Sequence, residues 1–440
     1  MSTETLVDQL RSESGKPRWS LATRIAFRFT CVYFVLYCLS TQILTSLFAF
    51  PSVDIPDPSS VPPLRQIITF TATHIFRVSH PLVFTGSGSG DKIVDYVLGF
   101  CLLVIAVAAT ALWSAFDRRP SHPRLYKAFR LFLRFALASQ MLVYGFDKAF
   151  PLQMPFPRLF TLVEPFGNFS PMGVLWTTVG ASQPYEIAVG CAEILGGLLL
   201  ILPRTTTLGA LISLADVTYV FLLNMTYDVP VKLFSLHLIL ICLILLALEF
   251  RRFADFFVLN RPVQPAPGAS LFRSRRARRI ALAAQVAFGL WLVALNIYGV
   301  REGWKNYGPG APRSPLYGIW NVDQFTLDGQ VRPPLLTDNE RWHRAIFDYP
   351  TLMVLDRMND ARSWFRSTID TSKHTVALAG RDDPKWKAAF TYAQPASDRL
   401  TLDGTLDGHP AHIQLRLVDP LTFQLINHRF HWIQEYPINR

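Results

Sequence analysis

Up to about Val300 the chain is a series of long apolar runs separated by short polar connections, and beyond Pro315 a two-residue alternation takes over. Roughly 20 apolar residues, rising roughly 1.5 Å each, cross the roughly 30 Å hydrocarbon layer of a bilayer. Seven runs reach that order of length: residues 25–50, 94–116, 125–146, 183–202, 207–226, 230–250 and 280–300. The first is too long for the apolar part of a signal peptide and lacks a small-residue cleavage site, which predicts an uncleaved span. The apolar positions of Leu64–His80 predict a helix lying on the membrane surface. The Pro-, Phe- and Gly-rich stretch Pro151–Ala181 reads as an interfacial or re-entrant cap. Gly86-Ser-Gly-Ser-Gly-Asp91 continues with Lys92 rather than the Gly-Lys-Ser/Thr of a phosphate loop, and reads as a turn.

After the Gly/Pro-rich linker 301–315, alternating segments predict strands at Ile319–Leu327, Thr351–Leu355, Ser363–Ile369, Thr375–Leu378, Trp386–Tyr392, Leu400–Leu402, His412–Leu417 and Thr422–Ile426. Asp328-Gly329, Asp403-Gly404 and Asp407-Gly408 are hairpin-turn signals. About eight short strands without intervening helices predict an antiparallel meander closing into a small barrel. The expected organisation is a tail at 1–23, a transmembrane domain at 24–300, the linker, and a β domain at 316–440.

A composition of 50% hydrophobic and 17% charged residues excludes a disordered chain. The formal charge of +11 would suggest nucleic acid in a soluble protein. Here the basic residues gather beside spans, at Arg118, Arg119, Arg124, Lys127 and Arg130 and again at Arg251, Arg252, Arg261 and Arg273–Arg279, as cytoplasmic loops do. Threading the runs with those loops inside gives seven spans, a cytoplasmic N-terminus and an extracytoplasmic β domain, with the bilayer and not nucleic acid as partner. Cys31, Cys38, Cys101, Cys191 and Cys242 all lie in apolar runs without a Cys-x-x-Cys pair, and read as small buried hydrophobes.

Ionisable residues inside spans are costly and mark function. Glu186 and Glu193 are seven apart on the fourth run and share a helix face, with Ala188, Ala192 and Gly196 as a small-residue row roughly opposite. Ser213, Asp216 and Tyr219 share a face of the fifth run, with Asn224 at its edge. Arg134, and after it Arg28, are the expected countercharges. Two readings stand beside each other: a proton-responsive or quinone-facing cluster, and a structural Glu–Arg pair fixing helix register. Asp147, Lys148 and the Tyr227–Lys232 segment lie at run ends, where snorkelling explains charge. His237 lies inside a span, where an imidazole can carry a proton and is a candidate for chemistry; with no second histidine in helical reach, no metal site is expected there. His409-Pro-Ala-His412 and His428-Arg-Phe-His431 lack acidic or thiol companions, and no metal is expected there either.

Leu131–Phe150, with Arg134 and Tyr144-Gly-Phe-Asp-Lys148, followed by Ala192-Glu-Ile-Leu-Gly-Gly-Leu-Leu-Leu-Ile-Leu-Pro-Arg-Thr205, resembles the DoxX family of small four-helix membrane proteins across about 125–250. The resemblance implies a bacterial inner-membrane protein, linked in some relatives to thiosulfate:quinone oxidoreduction or oxidative-stress complexes. By that likeness the chain is expected to be a quinone- or lipid-facing component of a redox-linked complex, working with protein partners; the sequence names no cofactor, and quinone is the candidate. Gly318-Ile-Trp320 resembles the Gly-x-Trp opening of lipocalin-type barrels, which implies the alternative of a non-catalytic envelope protein whose barrel binds a lipid or partner. The layout of a multi-span body with an outer β domain also resembles the vitamin K-dependent carboxylase-like proteins, which would give Lys148, Lys232 and His237 catalytic parts.

Overall fold

The computed structural model describes residues 19–51, 53, 55–247, 249–263, 272, 274–381, 383, 385–428 and 430–438. Most of the expected N-terminal tail and part of the last basic loop, Arg273 included, lie outside the described residues. The chain divides into a helical unit, residues 1–153 and 184–302, and a second unit, residues 154–183 and 303–440.

Among the described residues the seven long helices are α1 Leu21–Ser40, α2 Ile93–Phe116, α3 Pro123–Ala149, α4 Gln183–Ile201, α5 Thr206–Thr226, α6 Lys232–Leu246 and α7 Arg275–Asn306. Local chemistry sets several of their starts. The Ser20 side chain accepts the Thr23 N–H at 3.1 Å to open α1, and proline occupies the first turn of α3. Five helices, α1, α2, α4, α5 and α7, are long and apolar enough to cross a membrane, and α6 with Phe250–Val258, bent by 77°, would add a broken sixth. At roughly 1.5 Å per residue α6 alone is too short for the hydrocarbon layer. Residues 25–50, expected as one continuous helix, break at Thr41 and turn into a short helix at Gln42–Leu47.

α3 falls outside the apolar set because of its charges, yet it is the most enclosed helix. Every residue from Leu133 to Leu142 is buried, nearly three turns without an outward face. Leu133, Leu137, Leu142, Leu200 and Ile241 are fully buried in the core around it. A helix surrounded by helices needs no lipid-compatible surface, so it can carry polar groups that a lipid-facing helix cannot. Within residues 64–80 the helical part is Leu64–Phe70, running into a π-helical turn at Thr71–Ile75. Ile68 and Ala72 pack inward while Phe70 and Ile75 stay exposed.

Among the described residues of the second unit nine strands run β1 Gly318–Leu327, β2 Gln330–Val331, β3 Trp342–Phe347, β4 Leu352–Arg357, β5 Arg362–Asp370, β6 Thr375–Gly380, β7 Lys387–Ala396, β8 Arg399–Leu406 and β9 His409–Leu417. All pair antiparallel with their neighbours, and β1 also pairs with β9 from Trp320↔Leu417 to Leu327↔Ala411, so eight strands close a barrel while β2 is a spur on β1. Closure leaves the sheet without open edges. Asp328-Gly329 and Asp407-Gly408 have positive φ and make the tight hairpins their sequence signals. Asp403-Gly404 is not a turn; it lies within β8, where a Cβ on Gly404 would sit 2.0 Å from the Ala389 carbonyl oxygen. Thr422–Ile426 is not a strand either, since Gln424–Asn427 is a short helix, and the eighth barrel strand is β3.

Trp320, Phe325, Trp342, Phe347, Phe365 and Phe390 fill the barrel interior, each at most 4% exposed, so it is a packed core rather than a ligand cup. Trp320 Nε1 donates to Leu316 O at 2.9 Å. The stretch expected to cap the membrane helices instead folds, from residue 154, onto the outside of the barrel. Leu159 packs on Ile319, Ile346 and Val354, and its N–H donates to Asp348 Oδ2 at 3.0 Å. Arg362 bridges Asp356 at 2.7 Å and Glu164.

Candidate functional site

Close contact between α3 and α4 sets the site. A Cβ on Gly190 would lie 2.4 Å from the Ala149 nitrogen and 2.6 Å from the Gly145 oxygen, and one on Gly145 would lie 2.8 Å from the Ile194 nitrogen. Backbone meets backbone there, and glycine alone leaves the room. Lys148 and Glu193 each stand three residues beyond one of these glycines, so both side chains leave the crossing on neighbouring turns. Lys148 Nζ donates to Glu193 Oε1 at 2.7 Å and Oε2 at 2.9 Å. Their side chains are 7% and 3% exposed, which makes this a buried ion pair.

α5 brings in the second carboxyl. Gly196 approaches Ser213 so closely that a Cβ would lie 2.8 Å from its Oγ, and Gly209 approaches the Leu200 nitrogen to the same degree. At that separation Asp216 comes within hydrogen-bonding reach of Glu193. Its Oδ2 is sealed from solvent and accepts no hydrogen bond among the described residues. Further along, Tyr185 and Tyr219 share a 2.9 Å hydrogen bond between the same two helices. Lys148 Nζ also stands 5.6 Å over the Tyr144 ring, whose hydroxyl accepts from Gln42 Nε2 at 2.8 Å, and Gln42 reaches Gln140 at 3.2 Å. A polar trail therefore leads away from the cluster through α3. Two carboxyls served by one ammonium can exchange a proton, since full ionisation leaves an uncompensated buried charge.

The arginines expected as countercharges do other work. Arg134 donates to Leu200 O at 3.0 and 2.9 Å, to Ile201 O at 2.7 Å and to Gln285 Oε1 at 3.3 Å. It caps the C-terminal carbonyls of α4, where a cation meets the negative end of the helix dipole. Arg28 does the same for α2, donating to Asp117 O at 2.7 Å and Ser114 Oγ at 3.0 Å. Of the small-residue row, Gly196 does pack tightly, against Ser213, but Ala188 is exposed, and the close approach to α3 uses Gly190 and Gly197 on the glutamate face itself. Glu186 is fully buried one heptad before Glu193. Ser213, Asp216 and Tyr219 share the α4 side of α5 as their spacing implies, while Asn224 turns to Ser235 on α6 at 3.1 Å.

His237 sits between aromatic rings. Its Nδ1 donates to Leu233 O at 2.7 Å, which leaves Nε2 to accept the Tyr33 hydroxyl at 2.8 Å, and Tyr37 stacks on it at 3.9 Å. Lys232 pairs with Asp228 at 2.8 Å and Asp91 at 3.7 Å. Lys148, Lys232 and His237 thus have three separate partner sets rather than one shared site. The glycine-rich turn has a role that spacing did not reveal: Asp91 accepts the Lys232 and Leu233 N–H groups at 2.8 and 2.9 Å and caps the start of α6. In the barrel, His409 pairs with Asp328 at 2.9 Å and His412 with Asp403, while the His428 and His431 rings lie 5.1 Å apart.

No family model and no solved structure matches this chain. The protein of Bacillus subtilis (strain 168) called "Uncharacterized protein YwoB" is 33% identical over 138 residues, a match that takes in 29% of this chain and 79% of that protein. On that identity and coverage, the chain belongs to the same family as the Bacillus protein YwoB.

Proposed function

We propose that the helical unit is a DoxX-like, seven-span bundle of a bacterial inner membrane, and that Lys148, Glu193 and Asp216 form its proton-exchanging site. The observation that carries this reading is the ratio of two carboxyls to one ammonium at a helix crossing closed by glycine. α3 serves as a span in spite of its charges, because its middle faces protein on every side. The two basic loops set the N-terminus in the cytoplasm and the barrel unit outside.

The class of chemistry served is quinone redox work in the membrane. Reduction of a quinone to a quinol consumes electrons and protons in equal number. The cluster supplies the protons, and a protein partner in the same membrane supplies the electrons. Glu193 and Asp216 hold and release the proton, and Lys148 fixes the Glu193 carboxylate. The test is solvent extraction of the purified full-length protein and measurement of quinone per chain. Retained quinone that falls at least several-fold in Lys148→Met supports the reading. Equal and negligible quinone in both forms counts against it. In that event the alternative of an envelope protein gains, with its partner or lipid on the outside of the barrel, because aromatic side chains occupy the interior.

A further inference from the structure

At the end of the helical unit opposite Lys148, a groove of about 2310 Å³ opens among α1, α3, α5, α6 and α7. That is more than twice the roughly 300–1,000 Å³ of an ordinary small-molecule pocket. Its walls are apolar, with Phe27, Phe132, Phe135, Leu208, Leu211 and Phe288 among them. Its charges are strongly one-sided: Lys127, Arg130, Arg134, Arg204, Arg252 and Arg278 line it, and among the described residues Glu249 is the one acidic residue that does. Glu249 is already held by Arg252 and by Arg130 at 3.8 Å. The cations come from the first half of α3, the α4–α5 turn, the segment after α6 and the start of α7. Alternating helices bring all of these to one end of the unit. Arg204 is exposed and makes no hydrogen bond or ion pair among the described residues. α7, meanwhile, is poorly covered by protein over most of its apolar length.

We propose that this groove is a binding site for an anionic phospholipid of the cytoplasmic leaflet, its headgroup on the cationic end and its acyl chains along the phenylalanine walls. Charge complementarity selects this occupant. An apolar crevice in a bundle fills with lipid by default, and a basic cluster at its cytoplasmic end favours an anionic head over a zwitterionic one. Arg204 is the cation free to turn to the headgroup, while Arg134 remains on the α4 carbonyls. The inference rests on the membrane placement of the helices and is independent of proton exchange at Asp216.

The experiment uses the full chain. Retention in membranes through an alkaline carbonate wash is checked first, since a chain that washes off fails the membrane placement itself. The retained protein, in neutral detergent, is then titrated with dioleoyl phosphatidylglycerol or dioleoyl phosphatidylcholine, and bound lipid is counted by native mass spectrometry together with the melting temperature. The expected result is at least five-fold stronger retention of phosphatidylglycerol, and a higher melting temperature with it alone. Arg204→Glu is expected to abolish that preference, and Ala284→Trp, which fills the groove from α7, to lower retention of both lipids. Asp216→Asn is expected to bind as the parent does. Equal retention of the two lipids by the parent protein overturns the proposal. So does an undiminished preference in Arg204→Glu with undiminished retention in Ala284→Trp. Should Ala284→Trp fail to fold, Arg204→Glu decides alone, because its side chain is exposed and supports nothing.

Discussion

Lys148 on α3 and Glu193 on α4 form a two-point contact, Nζ to both carboxylate oxygens at 2.7 and 2.9 Å, at a place where their two backbones touch. A buried pair of this kind contributes little against a well-packed apolar replacement, but removing one partner strands the other.

The first expected outcome follows from that asymmetry. Lys148→Met leaves Glu193 and Asp216 without a cation and should cost about 3–5 kcal/mol, read as lost abundance in the membrane and a lower melting temperature in detergent. Adding Glu193→Gln should recover much of the loss. Arg134→Met should also destabilise, by uncapping α4, but Glu193→Gln should not rescue it. A double-mutant cycle that couples Glu193 to Arg134 instead of Lys148 would refute this assignment.

Gly190→Ala tests the crossing. Its methyl would fall 2.4 Å from a backbone nitrogen, so the helices must part. A small substitution at a helix centre ordinarily helps helix formation, yet here melting temperature should drop and disulfide crosslinking between cysteines placed on α3 and α4 should slow. An unchanged melting temperature would show that the crossing is looser than described.

In the second unit, burial pushes the Asp348 carboxyl above its ordinary pKa, a rise only partly offset by Arg158 and the Leu159 N–H. The folded state then holds the proton more tightly than the unfolded state. Stability from this group is fully present below the unfolded value of about 3.9 and is lost as pH rises through the folded value. Asp348→Asn, which keeps an acceptor for Leu159, should flatten that decline just above about pH 4. Near-ultraviolet circular dichroism of the barrel tryptophans during melting reads the effect, and an unaltered pH slope would assign it elsewhere.

Much of the architecture was legible because it rests on periodicity. The apolar runs located six of the seven long helices closely, and alternation located the barrel. The eight-strand count was right through two compensating errors. Alternation does not reveal Trp342–Phe347, because a bulge between Trp342 and Arg344 breaks it, while the β-prone residues of Thr422–Ile426 imitate a strand and finish as a helical turn. At the site, the position of Glu193 and Asp216 inside apolar runs draws attention to both, and the fold brings the two carboxyls together. Their cation was missed because Lys148, near a span end, looked like a residue reaching for water. The signal available was the Gly-x-x-Lys of 145–148 against the Gly-x-x-Glu of 190–193, which says that the backbones approach and that the charges leave together. The capping of α6 by Asp91 has no such signal, since its partners lie far along the chain.

Topology is checked by reporters. A fusion at Asp117, beside the first arginine loop, should behave as cytoplasmic, and one after Arg440 as extracytoplasmic. Both on one side would show that α3 or the bent α6 segment does not cross.

The central claim is that Glu193 and Asp216 share one exchangeable proton beside Lys148, and infrared difference spectroscopy of the full-length protein in lipid tests it most directly. Stepping the pH should reveal a carboxyl C=O band, shifted by deuterium, that disappears in Asp216→Asn and moves in Glu193→Gln while both variants keep the parent's helical content. Loss of that one band is the expected result. A spectrum in which neither substitution alters any titrating carboxyl band would contradict it.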